Sequence, residues 1–210
     1  MQIRAYNLIV LALALFAAPI SVQAQDDSAQ SREYQIKAAF LYNFIKFVDW
    51  PEEKVAESNE PVIIGIVGKD PFGNAFAPVK DKEDKGRKVL IKRFKPIEEL
   101  KKSGERDKSL LEREIDSLRK CHLLFICSSE EKSIKEIINL VKDHSVLTIG
   151  DMQGFLESGG IINFIMEEKK IRFEINMTAA KRAKLKIRSQ LLLLAKRVVG
   201  DDGGKSNKER

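Results

Sequence analysis

Three short polar segments follow apolar runs of the sequence, and they are the positions where chemistry is easiest to place. The segments begin at residues 68, 128 and 150, and their candidate residues are Asp70, Gly73, Ser128, Ser129, Asp151 and Gly154. If the apolar runs are parallel strands, their carboxyl ends meet at one sheet edge, where open α/β sheets bind ligands. The sequence therefore predicts a small-molecule crevice at this edge.

Each segment also has a structural interpretation. Asp70 followed by Pro71 is typical of the first turn of a helix, and Ser128 with Glu131 fits a capping box. The Gly-Lys-Ser/Thr order of a phosphate-binding P-loop is absent from residues 68–73. Taken alone, each segment favours the structural interpretation, and only the shared edge favours a ligand.

The cysteines and histidines form no pattern typical of a metal site or a catalytic group. His122 lies next to Cys121, so the two side chains of a strand would point to opposite faces, and no Cys-x-x-Cys spacing exists. The chain also lacks a Gly-x-Ser-x-Gly nucleophile elbow. We therefore expect no metal, no cofactor and no catalytic residue, which means that the protein is not an enzyme.

Cys121 and Cys127 bound one apolar run that reads as a single buried strand. An extended strand of that length places their Cα atoms about 20 Å apart, whereas a disulfide requires them within about 7 Å. The sequence therefore predicts two buried free thiols.

The apolar spacing predicts a single α/β domain. Residues 34–48 form a helix whose buried face contains Ile36, Phe40, Phe44 and Phe47. A further helix spans 133–141, and the apolar runs that predict strands are 62–67, 88–94, 123–127 and 146–149. Strands that alternate with helices indicate a mostly parallel sheet flanked by helices.

The carboxyl-terminal part departs from this alternation. Residues 161–166 and 171–176 predict a hairpin with a four-residue loop, which makes a mixed sheet of about six strands. Residues 178–199 predict a final helix whose buried stripe is Ile187, Leu191, Leu194, Ala195 and Val198. Residues 80–87 read as a loop, and the second half of the charged segment 98–120 reads as a surface helix.

The predicted final helix is strongly basic. Seven Lys and Arg residues and no acidic residue lie between Asn176 and Gly200. Such a face could bind an acidic partner or anionic lipid headgroups, and its candidate contact residues are Lys181, Lys184 and Arg188. A solvated helix surface is the alternative interpretation.

The amino terminus has the three parts of a secretory signal peptide. Arg4 precedes the apolar run 8–18, which is shorter than the roughly 20 residues of a membrane span, and small residues lead to cleavage after Ala24. Gln25 follows, so the cysteine of a lipoprotein is absent. The predicted organisation is a signal peptide (1–24), a flexible amino terminus (25–33), one α/β domain (34–199) and a disordered tail (200–210). An uncleaved membrane anchor is the less favoured alternative.

The charge balance does not indicate nucleic acid. The net charge of +6 falls to +5 when Arg4 is removed with the signal peptide, and the excess is spread along the chain. An exported protein also rarely meets nucleic acid, so none is expected as a partner.

Several ordered blocks of the sequence resemble the YfiR family. They include 36–44 ending at Trp50-Pro51, the turn 66–73, the run 121–126, the segments 146–149 and 159–164, and 172–176 leading to 185–187. The blocks occur in order over residues 34–197. The charged segment 98–120 departs from the usual pattern of the family.

The resemblance implies a periplasmic regulator without catalytic activity. Proteins similar to YfiR bind the periplasmic domain of an inner-membrane diguanylate cyclase and hold it inactive, which lowers cyclic di-GMP and biofilm formation. The alternative is a periplasmic small-molecule-binding module that acts on another membrane sensor. Whether the chain forms a homodimer stays open.

Overall fold

A long helix opens the part of the chain that the computed structural model describes, which comprises residues 23–51, 60–79, 82–84 and 86–200. Helix α1 spans Gln23–Lys46. It begins well before the predicted start at Tyr34 and includes the predicted flexible segment 25–33. Its buried stripe differs from the predicted one, since Ile36 is 43% exposed, and contains Tyr34, Ala38, Leu41, Phe44 and Ile45.

The rest of the predicted signal peptide, before Gln23, lies outside the described residues, as does the predicted tail after Gly200. No helix within the described ranges is both long and apolar enough to cross a membrane.

Ten strands follow α1 within the described residues. They are β1 (Val48–Asp49), β2 (Val62–Val67), β3 (Glu83–Asp84), β4 (Arg87–Phe94), β5 (Leu123–Ile126), β6 (Leu147–Gly150), β7 (Ile162–Glu167), β8 (Lys170–Asn176), β9 (Lys186–Ile187) and β10 (Arg197–Val199). Eight of them form one sheet in the order β10-β8-β7-β6-β5-β2-β4-β3, and β1 pairs with β9 in a separate antiparallel ribbon. All six predicted strands are present, and β3 and β10 extend the sheet at its edges.

The centre of the sheet is parallel, as predicted. β2 pairs in parallel with β4 and β5, β6 pairs in parallel with β5 and β7, and only β8 and β3 run against their neighbours β7 and β4. The residues of β2 and β5 are almost all fully buried, because helices cover both faces of these strands. The fold is therefore a mixed α/β domain with a mostly parallel sheet.

Five further helices complete the layers: α2 (Ile97–Arg106), α3 (Lys108–Lys120), α4 (Ile134–Val141), α5 (Met177–Arg182) and α6 (Ser189–Leu194). One sheet face packs against α1 and α5, and the opposite face packs against α2, α3 and α4. The charged segment 98–120 therefore forms two helices, and its predicted second-half helix is confirmed as α3. The carboxylate of Asp107 caps α3 by accepting hydrogen bonds from the backbone of Ser109 and Leu110.

The final helix predicted over residues 178–199 is wrong. Helix α5 ends at Arg182, Lys184 adopts a positive φ of 55°, and the chain then forms β9, α6 and β10. Of the predicted buried stripe, Leu194 is 63% exposed and Val198 is 38% exposed. Pairing of β9 with β1 and of β10 with β8 determines this segment, since tertiary contacts override local helix propensity.

Two local predictions also differ from the structure. The hairpin of β7 and β8 has a two-residue turn in which Glu168 and Lys169 have positive φ angles of 47° and 62°, and the loop is thus shorter than the four residues expected. The Asp70-Pro71 step opens a turn and a short 3-10 helix (Ala77–Val79) in place of an α-helix. Both cysteines are free and buried, as predicted.

Candidate functional site

The carboxyl ends of β2, β5 and β6 lie side by side at one edge of the sheet. The register places Val67 opposite Ile126, and Phe125 opposite Ile149. The three polar segments therefore begin at the same edge, as the sequence predicts. Whether they leave a crevice open depends on the contacts between them.

The first two segments contact each other directly. The backbone N–H of Lys69 donates a hydrogen bond to Ser129 Oγ at 2.9 Å. Gly68 has a φ of 104°, and a Cβ atom there would lie 2.6 Å from Ser129 Oγ. Ser128 is exposed and is the first residue of a 3-10 helix (Ser128–Ser133), which has no side-chain cap, so the predicted capping box is not formed. These contacts close the space between the loops after β2 and β5.

The carboxylate of Asp70 binds groups of its own loop and of the neighbouring strand β4. Its Oδ1 accepts the backbone N–H of Phe72 at 2.7 Å, and its Oδ2 accepts Arg93 Nε at 2.5 Å. The Phe72 ring then packs edge-on against Tyr34, with ring centroids 5.1 Å apart, and against Phe125 at 4.9 Å. Aromatic side chains therefore fill the space between this loop and α1.

Asp151 lies in a buried polar cluster with residues of α1. Its Oδ2 accepts hydrogen bonds from Lys37 Nζ at 2.6 Å and from the Tyr34 hydroxyl at 3.0 Å. The side chains of Lys37 and Asp151 are each only 6% exposed, and Lys37 also contacts Glu33 at 2.5 Å. Asp151 Oδ1 is buried and has no hydrogen-bond partner among the described residues.

The thiol of Cys127 lies among the carboxylates of this edge. Burial raises the pKa of Cys127 far above its usual value, and the negative charges of Asp70, Asp151 and Glu130 raise it further. Burial also raises the pKa of Tyr34, and the charge of Asp151 adds to that shift. Because a nucleophilic cysteine must be a thiolate, the neutral thiol of Cys127 is unsuited to catalysis.

Gly73 and Gly154 complete the set of candidate residues. Both have positive φ angles, 48° and 73°, and a Cβ atom at either position would meet no other atom within 4 Å. Gly73 is exposed and Gly154 is half-buried, and the carbonyl of Gly73 accepts Arg93, which also binds Asp70. The structure therefore brings the loops of Asp70, Ser129 and Asp151 to one edge, and the two glycines lie in turns of these loops.

Comparison of the sequence with known protein families gives a match over most of the chain. The YfiR/HmsC-like family, DUF4154, matches residues 34–196. The chain belongs to the YfiR/HmsC-like family. Members of this family are periplasmic regulators of cyclic di-GMP signalling and are not enzymes. The family also implies interaction with a membrane signalling protein.

Two solved structures are similar to this YfiR/HmsC-like chain at low sequence identity. A conserved domain protein of Vibrio cholerae O1 biovar El Tor is 12% identical, with a TM-score of 0.50, and the match covers 79% of this chain and 60% of that one. An ABC domain of Streptococcus pneumoniae, solved in complex with L-Trp, is 10% identical with a TM-score of 0.45 over 66% of this chain and 55% of that one. A comparison with curated proteins gives no match.

The predicted partner surface of this YfiR/HmsC-like chain is not one helix face. Lys181 lies in α5, Lys184 occupies the turn after it, and Arg188 precedes α6. Arg188 binds Asp49 through two nitrogens, with Nη2 to Oδ1 at 2.6 Å, and this contact raises the pKa of Arg188. Arg188 thus holds β1 and the segment after β9 together, whereas Lys181 and Lys184 are exposed.

Sequence reasoning missed Glu130 and Lys37. Glu130 is 4% exposed, and its Oε2 accepts the backbone N–H of Ile97 at 3.0 Å, so it caps the first turn of α2, where a carboxylate is favourable. Nothing near Glu130 in the sequence indicates this contact. Lys37 could have been found, because it follows Tyr34 by one helical turn and so falls on the buried stripe of α1.

The described residues contain no group of three or more His, Cys, Asp and Glu side chains that could hold a metal ion. The edge is thus a set of internal polar contacts that join α1, α2 and the sheet. Such an arrangement fixes the shape of a surface more readily than it performs a reaction.

Proposed function

We propose that this protein binds the periplasmic domain of an inner-membrane signalling protein, a diguanylate cyclase, and represses it. Repression lowers cyclic di-GMP and biofilm formation. The observation that carries the proposal is the family match over residues 34–196, which begins within α1, includes β1 to β9 and ends just before β10.

The geometry of the sheet edge supports action by contact. The loops after β2 and β5 are joined through Lys69 and Ser129, and the Cys127 thiol is 1% exposed and neutral. An enzyme needs a group that reaches its substrate. A regulator needs only a stable surface that its partner recognises.

The proposal includes export. The signal peptide directs the chain to the periplasm and is cleaved after Ala24. Amino-terminal sequencing of the protein from a periplasmic extract should begin at Gln25, and a chain that still begins at Met1 would contradict the cleavage.

Deletion of the gene tests repression directly. Cyclic di-GMP measured in cells that normally make the protein should rise on deletion and return to its former level when the gene is restored. The control is a strain that lacks both this gene and the cyclase gene, in which no rise is expected. An unchanged level after the single deletion would contradict the proposal.

A periplasmic small-molecule-binding module is the second candidate. The buried Asp151 Oδ1, which lacks a hydrogen-bond partner among the described residues, favours it, because buried acceptors are nearly always paired. A ligand with an N–H donor would supply the partner. Such a ligand should raise the melting temperature of the wild-type protein and leave that of Asp151→Ala unchanged. An equal effect on both proteins, or no effect in a screen of amines and amino acids, would contradict this function.

A further inference from the structure

The outer edge of β4 is open along most of its length. β2 pairs with β4 from Val62 opposite Val89 to Val67 opposite Phe94. On the other side, β3 pairs only with Arg87 and Lys88. Within the part of the chain that the structure describes, no strand pairs with the outer side of β4 after that point.

Two hydrogen bonds show which backbone groups face this edge. Val89 donates its N–H outward to the carbonyl of Lys82 at 3.4 Å, whereas the carbonyl of Phe94 accepts the N–H of Gly68 on the β2 side at 3.3 Å. Successive residues of a strand point their backbone groups to alternate sides. Ile91 and Arg93 therefore present both N–H and C=O at the open edge.

A groove of about 790 Å³ runs beside these backbone groups. Asn74 and Ala77, from the turns after β2, form one wall, and Leu90 and Ile91 of β4 form the other. Arg93 closes one end, since its side chain reaches Asp70 and the carbonyl of Gly73. Leu90 is 49% exposed although it is a large apolar residue. The groove can accept side chains of a segment that lies along β4.

The positive charge of β4 indicates which kind of segment would bind at its open edge. The strand has four basic residues and no acidic one, although Arg87 is paired with Asp84 and Arg93 with Asp70. In the groove lining, Lys82 and Lys88 outnumber the one acidic residue, Glu83. A second copy of this chain would place another strand with four basic residues and no acidic one beside β4, and like charges on neighbouring strands are destabilising. An acidic segment would instead be attracted.

We propose that the open edge of β4 binds an extended, acidic segment of the partner protein by strand addition. The partner backbone would bond to Ile91 and Arg93, and an apolar side chain would enter the groove beside Ile91. The inference rests on the proposed function, because it takes the partner to be the periplasmic domain of the cyclase.

Hydrogen exchange of the complete mature protein with that purified domain provides the first test. The backbone N–H groups of Ile91 and Arg93 should exchange quickly in the free protein and slowly in the complex. Fast exchange at both residues in a saturated complex would overturn the inference, and so would slow exchange in a dimer of the protein alone.

The variant Ile91→Pro removes one outward N–H while the bonds to β2 remain, and proline is tolerated at sheet edges. We expect binding to weaken by about tenfold or more, since an interfacial hydrogen bond and its neighbours are lost. Val199→Pro is the matched control: Lys196 donates its N–H towards β8, so Val199 points outward at the opposite edge of the same sheet, and binding should be unchanged.

Charge reversal gives a second pair that does not alter the backbone. Lys88→Glu should weaken binding, and the loss should shrink as salt is raised, because screening weakens exposed charge pairs. Lys169→Glu, in the turn between β7 and β8, should bind like the wild type. This pair keeps the inference testable if Ile91→Pro does not fold.

The outcomes separate the inference from the function. A wild-type protein that does not bind the cyclase domain contradicts the proposed function. If the wild-type protein binds and both Ile91→Pro and Lys88→Glu bind equally well, strand addition at β4 is refuted and the proposed function is not affected.

Discussion

Lys37 is the residue that ties α1 to the carboxyl edge of the sheet. Its Nζ lies 2.6 Å from Asp151 Oδ2, and both side chains are 6% exposed. A buried charge that loses its partner is costly. Among the described residues, the Tyr34 hydroxyl would remain as a donor to this carboxylate, and one neutral donor does not replace an ammonium.

Replacement of Lys37 by Met should therefore lower the free energy of unfolding by about 3–5 kcal/mol, as measured by urea denaturation. The double variant Lys37→Met/Asp151→Asn should recover part of this loss, because it removes the stranded charge. Lys135→Met, at an exposed position of α4, is the control and should change stability little. A Lys37→Met protein as stable as this control would refute the role of the pair.

Cys127 makes the free energy of unfolding depend on pH at alkaline pH. Its pKa is raised in the folded protein, by burial first and by the neighbouring carboxylates second. The unfolded chain ionises its thiol above about pH 8.5 and the folded protein does not, so folding binds a proton there. The contribution is fully present below that pH and declines as the pH rises.

The free energy of unfolding should consequently fall between pH 8.5 and 10 by up to about 1.4 kcal/mol per pH unit from this group. Cys127→Ala should be less stable at neutral pH but should show a shallower decline over the same range. Denaturant titrations at a series of pH values measure both slopes. Parallel slopes for the two proteins would show that Cys127 does not cause the dependence.

At the scale of elements, the carboxyl-terminal segment shows that a local sequence pattern does not determine where a helix ends. Residues 178–199 contain no glycine or proline, so nothing in the sequence ends a helix there. The structure ends it because β9 pairs with β1, whose residues Val48 and Asp49 lie far away in the chain. The resulting turn places Lys184 in the left-handed region at φ 55°, where a residue with a side chain is strained.

The strained turn predicts an unusual stabilisation. Lys184→Gly should raise the melting temperature and stabilise the protein by about 1 kcal/mol, since glycine adopts positive φ without strain. Lys181→Gly, inside α5, should instead destabilise by about 1 kcal/mol. In a continuous helix over 178–199 both substitutions would destabilise, so loss of stability in Lys184→Gly would contradict the turn.

At the scale of the whole molecule, the fold class was predictable from the sequence. The contacts that close the space between the loops at the carboxyl edge of the sheet were not. The buried runs that form β2, β5 and β6 are continuous in the sequence, and parallel pairing follows from the helices between them. The contacts of Glu130 with Ile97 and of Ser129 with Lys69 join residues that are far apart in the chain. Such contacts depend on the finished packing, and no local spacing encodes them.

The same packing bears on the proposed export of the protein. The two cysteines are free and buried, so the described domain does not rely on a disulfide and does not need an oxidising compartment to fold. Under the proposed function, export therefore serves to reach the partner. A chain that lacks the proposed signal peptide, residues 2–24, should fold in the cytoplasm yet fail to regulate.

This variant should give the same circular dichroism spectrum and melting temperature as the exported protein. When it is expressed in the deletion strain, cyclic di-GMP should stay at the raised level, because the cyclase domain that it must contact lies across the membrane. The full-length chain in the same strain is the control and should restore the low level. Restoration by the cytoplasmic form would mean that the protein acts inside the cell, and the proposed site of repression would be wrong.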